Sequence, residues 1–378
     1  MLNKQNKKTN KKHTRKVNKE VKNMLKTNTK EFLNAIDKVT KTKGSSFDSF
    51  TIRMEDNRLA IIGKHLGDIP HETIAYINDF SGNLENRITM DFDSNFKNVI
   101  KRFKGEIEIS VNDDNIVLSD GKKTIKKQAA KAEDKNLGIG KFIDATDIDD
   151  PVFTKELLKH EKFVSENKAR PMLQYAYIEN NNIWSTNSYY SCHTTLNNVR
   201  FDSSVYVHGM IIKLIAALKE PIKRIETYQN GISIITENYR VKQAIYDISM
   251  YPDMAKFYDN KSNVKTTVTV NYKDMLENQE VVNTVKKDDI AVTVMHVSDD
   301  ITISSEDGNN EVKANLDAEY TGDKVTFGYD GKYMLNVLKT VENDNHVEIG
   351  IVNNIKPFYI SDSSNTEYMI CQIRLKNN

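Results

Sequence analysis

Signatures of the common chemistries are missing from this chain. It has no GxxxxGK followed by Ser or Thr, no GxGxxG behind a strand, no HExxH and no CxxC. Their absence removes the usual marks of a phosphate-cradling loop, a dinucleotide site and a zinc site. Cysteine is scarce as well. Cys192 and Cys371 are the only two, far apart and set in apolar or aromatic runs, so they read as buried free thiols of a reducing compartment. No run approaches the ~18 apolar residues of a membrane span. The basic N-terminus lacks the apolar segment of a secretory signal. The expectation is a cytoplasmic protein without membrane attachment and without a cofactor.

The titratable residues give little more. His160, His193, His208 and His346 show no ligand-like spacing and read as surface or packing residues. Asp144, Asp147, Asp149 and Asp150 cluster in sequence, but they sit in a linker that ends in a helix cap. A metal-dependent nuclease or hydrolase using Asp147, Asp149 and Asp150 is therefore the lesser rival reading.

What the chain does have is length, charge asymmetry and repetition. Its 378 residues are 38% hydrophobic and 28% charged, enough for two or three domains with solvated surfaces. Residues 1–22 hold nine Lys or Arg and one Glu, a local +8; the whole chain sums to +1, so the remainder carries −7. A disordered basic tail (1–22) precedes a mildly acidic body, and such a tail either tethers to an anionic surface or simply solvates the chain.

Hydrophobic spacing predicts the same order of helices and strands three times. Helices are expected over Lys30–Lys41, from Asp93 or Ser94 through Phe103, from Asp150-Pro151 to Val164, over Tyr206–Lys219, over Tyr272–Lys286 and around Met334. Short strands follow, including Leu173–Glu179, and the strand Lys265–Val270 precedes the helix over Tyr272–Lys286. Charged, Gly-punctuated or polar stretches at 129–140 and 259–263 mark the boundaries. The predicted domains are 23–140, 141–260 and 261–378. The period is domain-sized, so each unit can bury its own core.

The helices also share a sign. Lysine or arginine decorates all six, within an acidic body. If they line one surface, they bind phosphates without reading sequence. The candidate DNA contacts are Lys41, Lys43, Lys97, Lys101, Arg102, Lys168, Arg170, Lys213, Lys286, Lys287 and Lys332. Without this arrangement the rival reading is an oligomeric scaffold of repeated αβ modules.

Several short segments, taken in order, resemble a known family. Tyr320, Gly322, Gly328-Tyr329, Tyr333-Met334-Leu335-Asn336 and Leu338 are followed at the end by Cys371-Gln372-Ile373-Arg374-Leu375. Upstream stand Ala169-Arg170-Pro171-Met172-Leu173, Ser185–Tyr190 and Tyr251-Pro252-Asp253-Met254-Ala255-Lys256-Phe257. This pattern resembles the bacterial DNA polymerase III beta subunit, the sliding clamp. Two departures stand out: the family's Gly-His-Arg is here Ser188-Tyr189-Tyr190, and its Met-Pro is Cys371-Gln372. Lys- and Asn-rich usage fits an AT-rich genome and a divergent clamp serving its own polymerase, such as one encoded by a bacteriophage.

The resemblance implies an α+β fold of three similar DNA-clamp domains, each with two helices backed by antiparallel sheet, joined in a head-to-tail dimeric ring. It implies a non-enzymatic processivity factor that encircles double-stranded DNA without sequence preference and tethers a DNA polymerase. The other implied partners are a clamp loader and a second copy of the chain, as a homodimer. It also implies a groove for short linear motifs, walled here by Leu173, Thr186, Ser188, Tyr189, Tyr190, Pro252, Lys256, Phe257, Cys371, Gln372 and Ile373.

Overall fold

The computed structural model describes residues 23–40, 49–84, 88–91, 94–112, 115–131, 137–245, 250–286, 290–342 and 345–375. The basic tail and three of the candidate DNA contacts, Lys41, Lys43 and Lys287, lie outside the described residues.

One order recurs along the chain: a strand, a helix, then three strands. The first run is β1 (Met24–Asn28), α1 (Thr29–Thr40), β2 (Ser49–Glu55), β3 (Arg58–His65) and β4 (His71–Ile77), trailed by β5 (Phe80–Asn83). The second is β6 (Ile88–Asp91), α2 (Ser94–Ile100), β7 (Glu106–Asn112), β8 (Asn115–Ser119) and β9 (Thr124–Gln128), trailed by β10 (Ala130–Lys131). The third is β11 (Phe142–Asp147), α3 (Phe153–Lys159), β12 (Tyr175–Asn180), β13 (Asn182–Thr186) and β14 (Tyr190–Thr195). The fourth is β15 (Phe201–His208), α4 (Gly209–Leu218), β16 (Arg224–Tyr228), β17 (Gly231–Ile235) and β18 (Tyr239–Ala244). A short α5 (Ala255–Tyr258) leads to β19 (Thr266–Asn271), α6 (Tyr272–Val282), β20 (Val292–Val297), β21 (Thr302–Glu306) and β22 (Glu311–Asn315). After β23 (Ala318–Gly322) comes the last run: β24 (Val325–Asp330), α7 (Gly331–Leu338), β25 (His346–Ile351), β26 (Phe358–Ser361) and β27 (Thr366–Ile370), closed by β28 (Gln372–Ile373).

Local chemistry explains these elements. In α1 the buried Phe32, Ala35, Ile36 and Val39 recur at helical spacing. Asn271 caps α6 by accepting the Asp274 N–H at 3.1 Å, and Asp330 caps α7 through Lys332 N–H at 2.9 Å. In β19, alternate residues Thr266, Val268 and Val270 are buried. Gly331 opens α7 where no side chain fits, because a Cβ there would stand 1.9 Å from Asn283 Oδ1 and 2.6 Å from Thr293 Oγ1.

Strand pairing follows one rule throughout, and every pair is antiparallel. The leading strand of each run joins the three strands of its sister run: β1 with β7, β6 with β2, β11 with β16, β15 with β12, β19 with β25 and β24 with β20. Successive repeats then join edge to edge. β4 pairs with β18, and β14 pairs with β27. Among the described residues the result is two nine-stranded sheets and two five-stranded sheets.

The chain divides into two compact units, residues 1–148 with 214–246 and residues 149–213 with 247–378. The cut falls inside the middle repeat because each half of that repeat belongs to a nine-stranded sheet shared with a neighbouring repeat. The first unit includes a buried cluster of Ala60, Ile62, Ile74 and Tyr76. The core of the second gathers Phe163, Tyr190, Phe327, Tyr329, Met334, Phe358 and Tyr368, among others.

Some element boundaries differ from the sequence-based expectation. Residues 206–208, expected at the start of a helix, end β15, where Tyr206 pairs with Tyr177 and Val205 and Val207 are buried. The helix expected over Tyr272–Lys286 ends at Val282 with Asn283 as its C-cap. The strand expected from Leu173 begins at Tyr175, because Pro171 opens a single 3-10 turn over Pro171–Gln174. Both cysteines are free, Cys192 buried and Cys371 half-buried. Among the described residues, no helix is long and apolar enough to cross a membrane.

Candidate functional site

Five of the eleven predicted groove residues, Thr186, Ser188, Tyr189, Tyr190 and Cys371, meet at the loop between β13 and β14. Ser188 holds φ at +85°, a conformation that favours glycine. Four neighbours fix it there. Its N–H donates to Thr186 Oγ1 at 3.1 Å, and its hydroxyl accepts from the Arg170 guanidinium. Asn187 Oδ1 accepts from the Tyr189 and Tyr190 N–H groups at 2.9 and 3.1 Å. The Cys371 thiol points at the Ser188 carbonyl at 3.9 Å, and Cys371 N–H donates to the Tyr189 carbonyl at 2.8 Å. Strained backbone held by several partners is a pre-set loop.

That loop presents two tyrosines to a third. The Tyr190 ring lies 4.4 Å from Tyr333 at 15°, and the Tyr189 ring lies 6.1 Å from Tyr333 at 12°. Tyr190 is buried; its hydroxyl donates to the Lys162 carbonyl and accepts from Asn336 Nδ2 at 3.0 Å. Burial pushes its hydroxyl up to about 12. Tyr189, by contrast, is 56% exposed.

Leu173 stands in an adjoining cluster with Trp184, Tyr251 and Met254. Arg170 ties the two parts together, since its carbonyl accepts the Leu173 N–H at 3.1 Å while its side chain holds Ser188. Pro252, half-buried, follows Tyr251 directly, and the exposed Phe257 and Lys256 sit on α5. Lys256 is paired with Asp253 at 2.9 Å in an exposed position. Gln372 and Ile373 lie on β28, which pairs with β24, and Gln372 Nε2 donates to the Asn353 carbonyl at 2.7 Å. Burial raises the Cys371 thiol.

The basic residues fall into two kinds. Lys97 pairs with Asp37, and Lys213 with Glu161 at 3.0 Å. Beyond the candidate contacts, Lys339 pairs with Glu280 at 2.7 Å, and Lys155 and Lys159 both pair with Glu342, at 2.6 and 2.7 Å. Lys159 is buried and also bonds Glu156 at 2.9 Å, which makes it part of the interior. Lys101, Arg102, Lys286 and Lys332 are exposed and make no ion pair among the described residues. Lys168 is exposed in the turn before Pro171, and Arg170 is committed to Ser188.

The aspartates of the rival metal reading have other uses. Asp147 pairs with Arg224, while Asp150 Oδ1 accepts the Val152 N–H at 2.9 Å and starts the helical segment. Among the described residues, no three His, Cys, Asp or Glu are placed to hold a metal ion.

Residues 262–374 match the family described as DNA polymerase III beta subunit, C-terminal domain. That match spans the last third of the chain. Over 93% of the chain the fold is that of the beta sliding clamps. The DNA polymerase III beta chain of Streptococcus pneumoniae is 17% identical, with a TM-score of 0.80 over 93% of this chain and 100% of that one. The sliding clamp of Bacillus subtilis is 15% identical, with a TM-score of 0.79 over 93% and 99%. A sliding clamp from Pseudomonas aeruginosa, solved with griselimycin, is 14% identical, with a TM-score of 0.80 over 93% and 100%. No curated protein sequence matches the chain.

Ser188, which the sequence resemblance sets where the clamp pattern has glycine, holds a backbone that favours glycine. Two contacts escaped the sequence reading of the groove: Tyr333 and Asn336, both on α7. They stand in the quoted Tyr333-Met334-Leu335-Asn336 segment, one helical turn apart, yet nothing in that spacing says which face meets β14.

Proposed function

We infer that this protein is a DNA sliding clamp, a processivity factor that holds a polymerase on double-stranded DNA. The observation that carries this reading is the edge-to-edge rule of the sheets. β4 joins β18 and β14 joins β27, so the third strand of one repeat meets the last strand of the next. The equivalent strands left at sheet edges are β22, in the third repeat, and β9, in the first. An edge strand with free main-chain groups is a template for another chain. Pairing β22 of one copy with β9 of another continues the rule and closes a head-to-tail homodimer. Charge favours the match: Lys122, Lys123 and Lys126 lie at or beside β9, and Glu306, Asp307 and Glu311 lie at or beside β22. Three domains, 23–140, 141–260 and 261–378, are the repeating units of this ring.

The helices are then the DNA-facing elements. Lys101, Arg102, Lys286 and Lys332 supply phosphate contacts that carry no sequence information. A closed ring needs no tight contact, because topology retains it. Linear motifs of a polymerase and a clamp loader dock at Tyr189, Tyr190, Leu173 and their neighbours, where apolar anchors find pockets. Tethering raises the polymerase concentration at the template without catalysis. The protein works where the chromosome or replicating DNA lies, in the cytoplasm. Solution mass tests the ring: the reading expects twice 43.3 kDa, and a monomer at micromolar concentration contradicts it.

A further inference from the structure

We propose that Asp37, Glu161, Glu280 and Glu342 set how weakly the helix surface holds DNA, each by neutralising a lysine on a neighbouring element. This rests on the reading of the helices as the DNA-facing surface. The pairs share a pattern. Asp37 on α1 meets Lys97 on α2. Glu161, in the 3-10 turn behind α3, meets Lys213 on α4. Glu280 on α6 meets Lys339 at the C-cap of α7, and Glu342, just beyond α7, meets Lys155 on α3.

Stability gives no strong reason for the two pairs most open to solvent. The side chains of Lys213 and Glu161 are 55% and 27% exposed, and those of Lys339 and Glu280 are 49% and 50% exposed. Ion pairs so open to solvent contribute little to stability. Their effect on a polyanion is larger. A lysine already neutralised carries no condensed-counterion advantage to a phosphate, so it adds nothing to the salt-dependent part of DNA binding. What remains is the small set of cations without ion pairs, which suits a ring that must slide. The carboxylates therefore act as positioning residues that restrain lysines, and they touch no DNA themselves.

Fluorescence anisotropy with a linear duplex of about 30 base pairs, titrated between about 50 and 200 mM salt, tests this. Glu280→Gln, and Glu161→Gln combined with Glu166→Gln because Lys213 also faces Glu166 at 3.9 Å, should each steepen the slope of log affinity against log salt by about 0.9, and widen the affinity ratio across that range about three- to fourfold. Lys339→Gln should leave the parent's slope unchanged but cancel the gain of Glu280→Gln. All of these variants change side chains at the surface, and thermal melting checks that they fold. Parental slopes in every variant, or an equal effect of Lys339→Gln in both backgrounds, overturn the proposal while the sliding-clamp reading stands. A parent that neither associates with the duplex at low salt nor is retained on circular DNA overturns that reading and this proposal together.

Discussion

The ring of Tyr190 lies 4.4 Å from the ring of Tyr333, nearly parallel to it, with Asn336 donating to the Tyr190 hydroxyl at 3.0 Å. This contact joins β14 to α7, and Cys371 N–H completes the junction at the Tyr189 carbonyl. The loop between β13 and β14 is thus held from both sides before any partner arrives, and that lowers the ordering cost of binding.

Peptide binding should depend on this stack. Tyr189→Ala or Tyr333→Ala should weaken a fluorescent linear-motif peptide from the cognate polymerase at least about tenfold, or about 1.4 kcal/mol. Lys256→Ala should change affinity less than about threefold, since an exposed ion pair to Asp253 contributes little. Equal effects from all three variants would count against the groove as drawn. Deleting Cys371–Leu375 is a blunter test, because it also removes β28 from its pairing with β24.

Ser188 should reveal its strain. At φ +85° a β-branched side chain is poorly tolerated, so Ser188→Val should lower stability by about 1–3 kcal/mol in urea unfolding. Ser188→Gly should shift it by less than about 1 kcal/mol, because relief of the backbone offsets the lost bond to Arg170. A Val variant as stable as the parent would mean the loop relaxes freely.

Acid should destabilise the fold before the carboxylates protonate. Burial lowers His193 to about 4, against the opposing pull of Glu367 and with the help of Lys261. Burial also lowers His160, which sits between Ser185 and Thr194 at 2.7 and 3.1 Å. Both stay neutral in the folded state, whereas the unfolded chain takes up protons below about 6.5. Their contribution is complete above about pH 6.5 and is lost as pH falls through the folded value, near 4 for His193. Urea midpoints should be flat from pH 8 to 6.5 and fall below it, and His193→Gln should shrink that fall. A midpoint that holds steady down to pH 4.5 would contradict the assignment.

The dimer edge should respond to charge. Lys126→Glu or Glu311→Lys should favour monomer in sedimentation or light scattering, and the two together in one chain should restore the dimer. Main-chain pairing carries most of such an edge, so the effect should be largest at low salt. Monomerisation that the paired reversal fails to rescue would place the contact elsewhere.

Much of the fold was legible from periodicity. The helices around Phe32–Val39, Phe153–Leu157 and Met334–Leu338 stand where their apolar spacing put them. Strand ends were less so, because β-branched residues such as Val205 and Val207 lead straight into α4 without a turn signal. The groove was proposed from resemblance alone. The stacking of Tyr189 and Tyr190 on Tyr333, more than a hundred residues away, is encoded by no local pattern. The charge pattern misled in one respect: Lys97, Lys155, Lys213 and Lys339 look free in sequence, but each faces a carboxylate on another element.

Retention on DNA decides the central claim. After loading onto nicked plasmid by a clamp loader, the protein should remain bound through a high-salt wash that strips phosphate contacts. It should then be released when one restriction cut linearises the plasmid. Equal retention on circular and linear DNA, or loss from both in the wash, would contradict a ring that encircles its substrate.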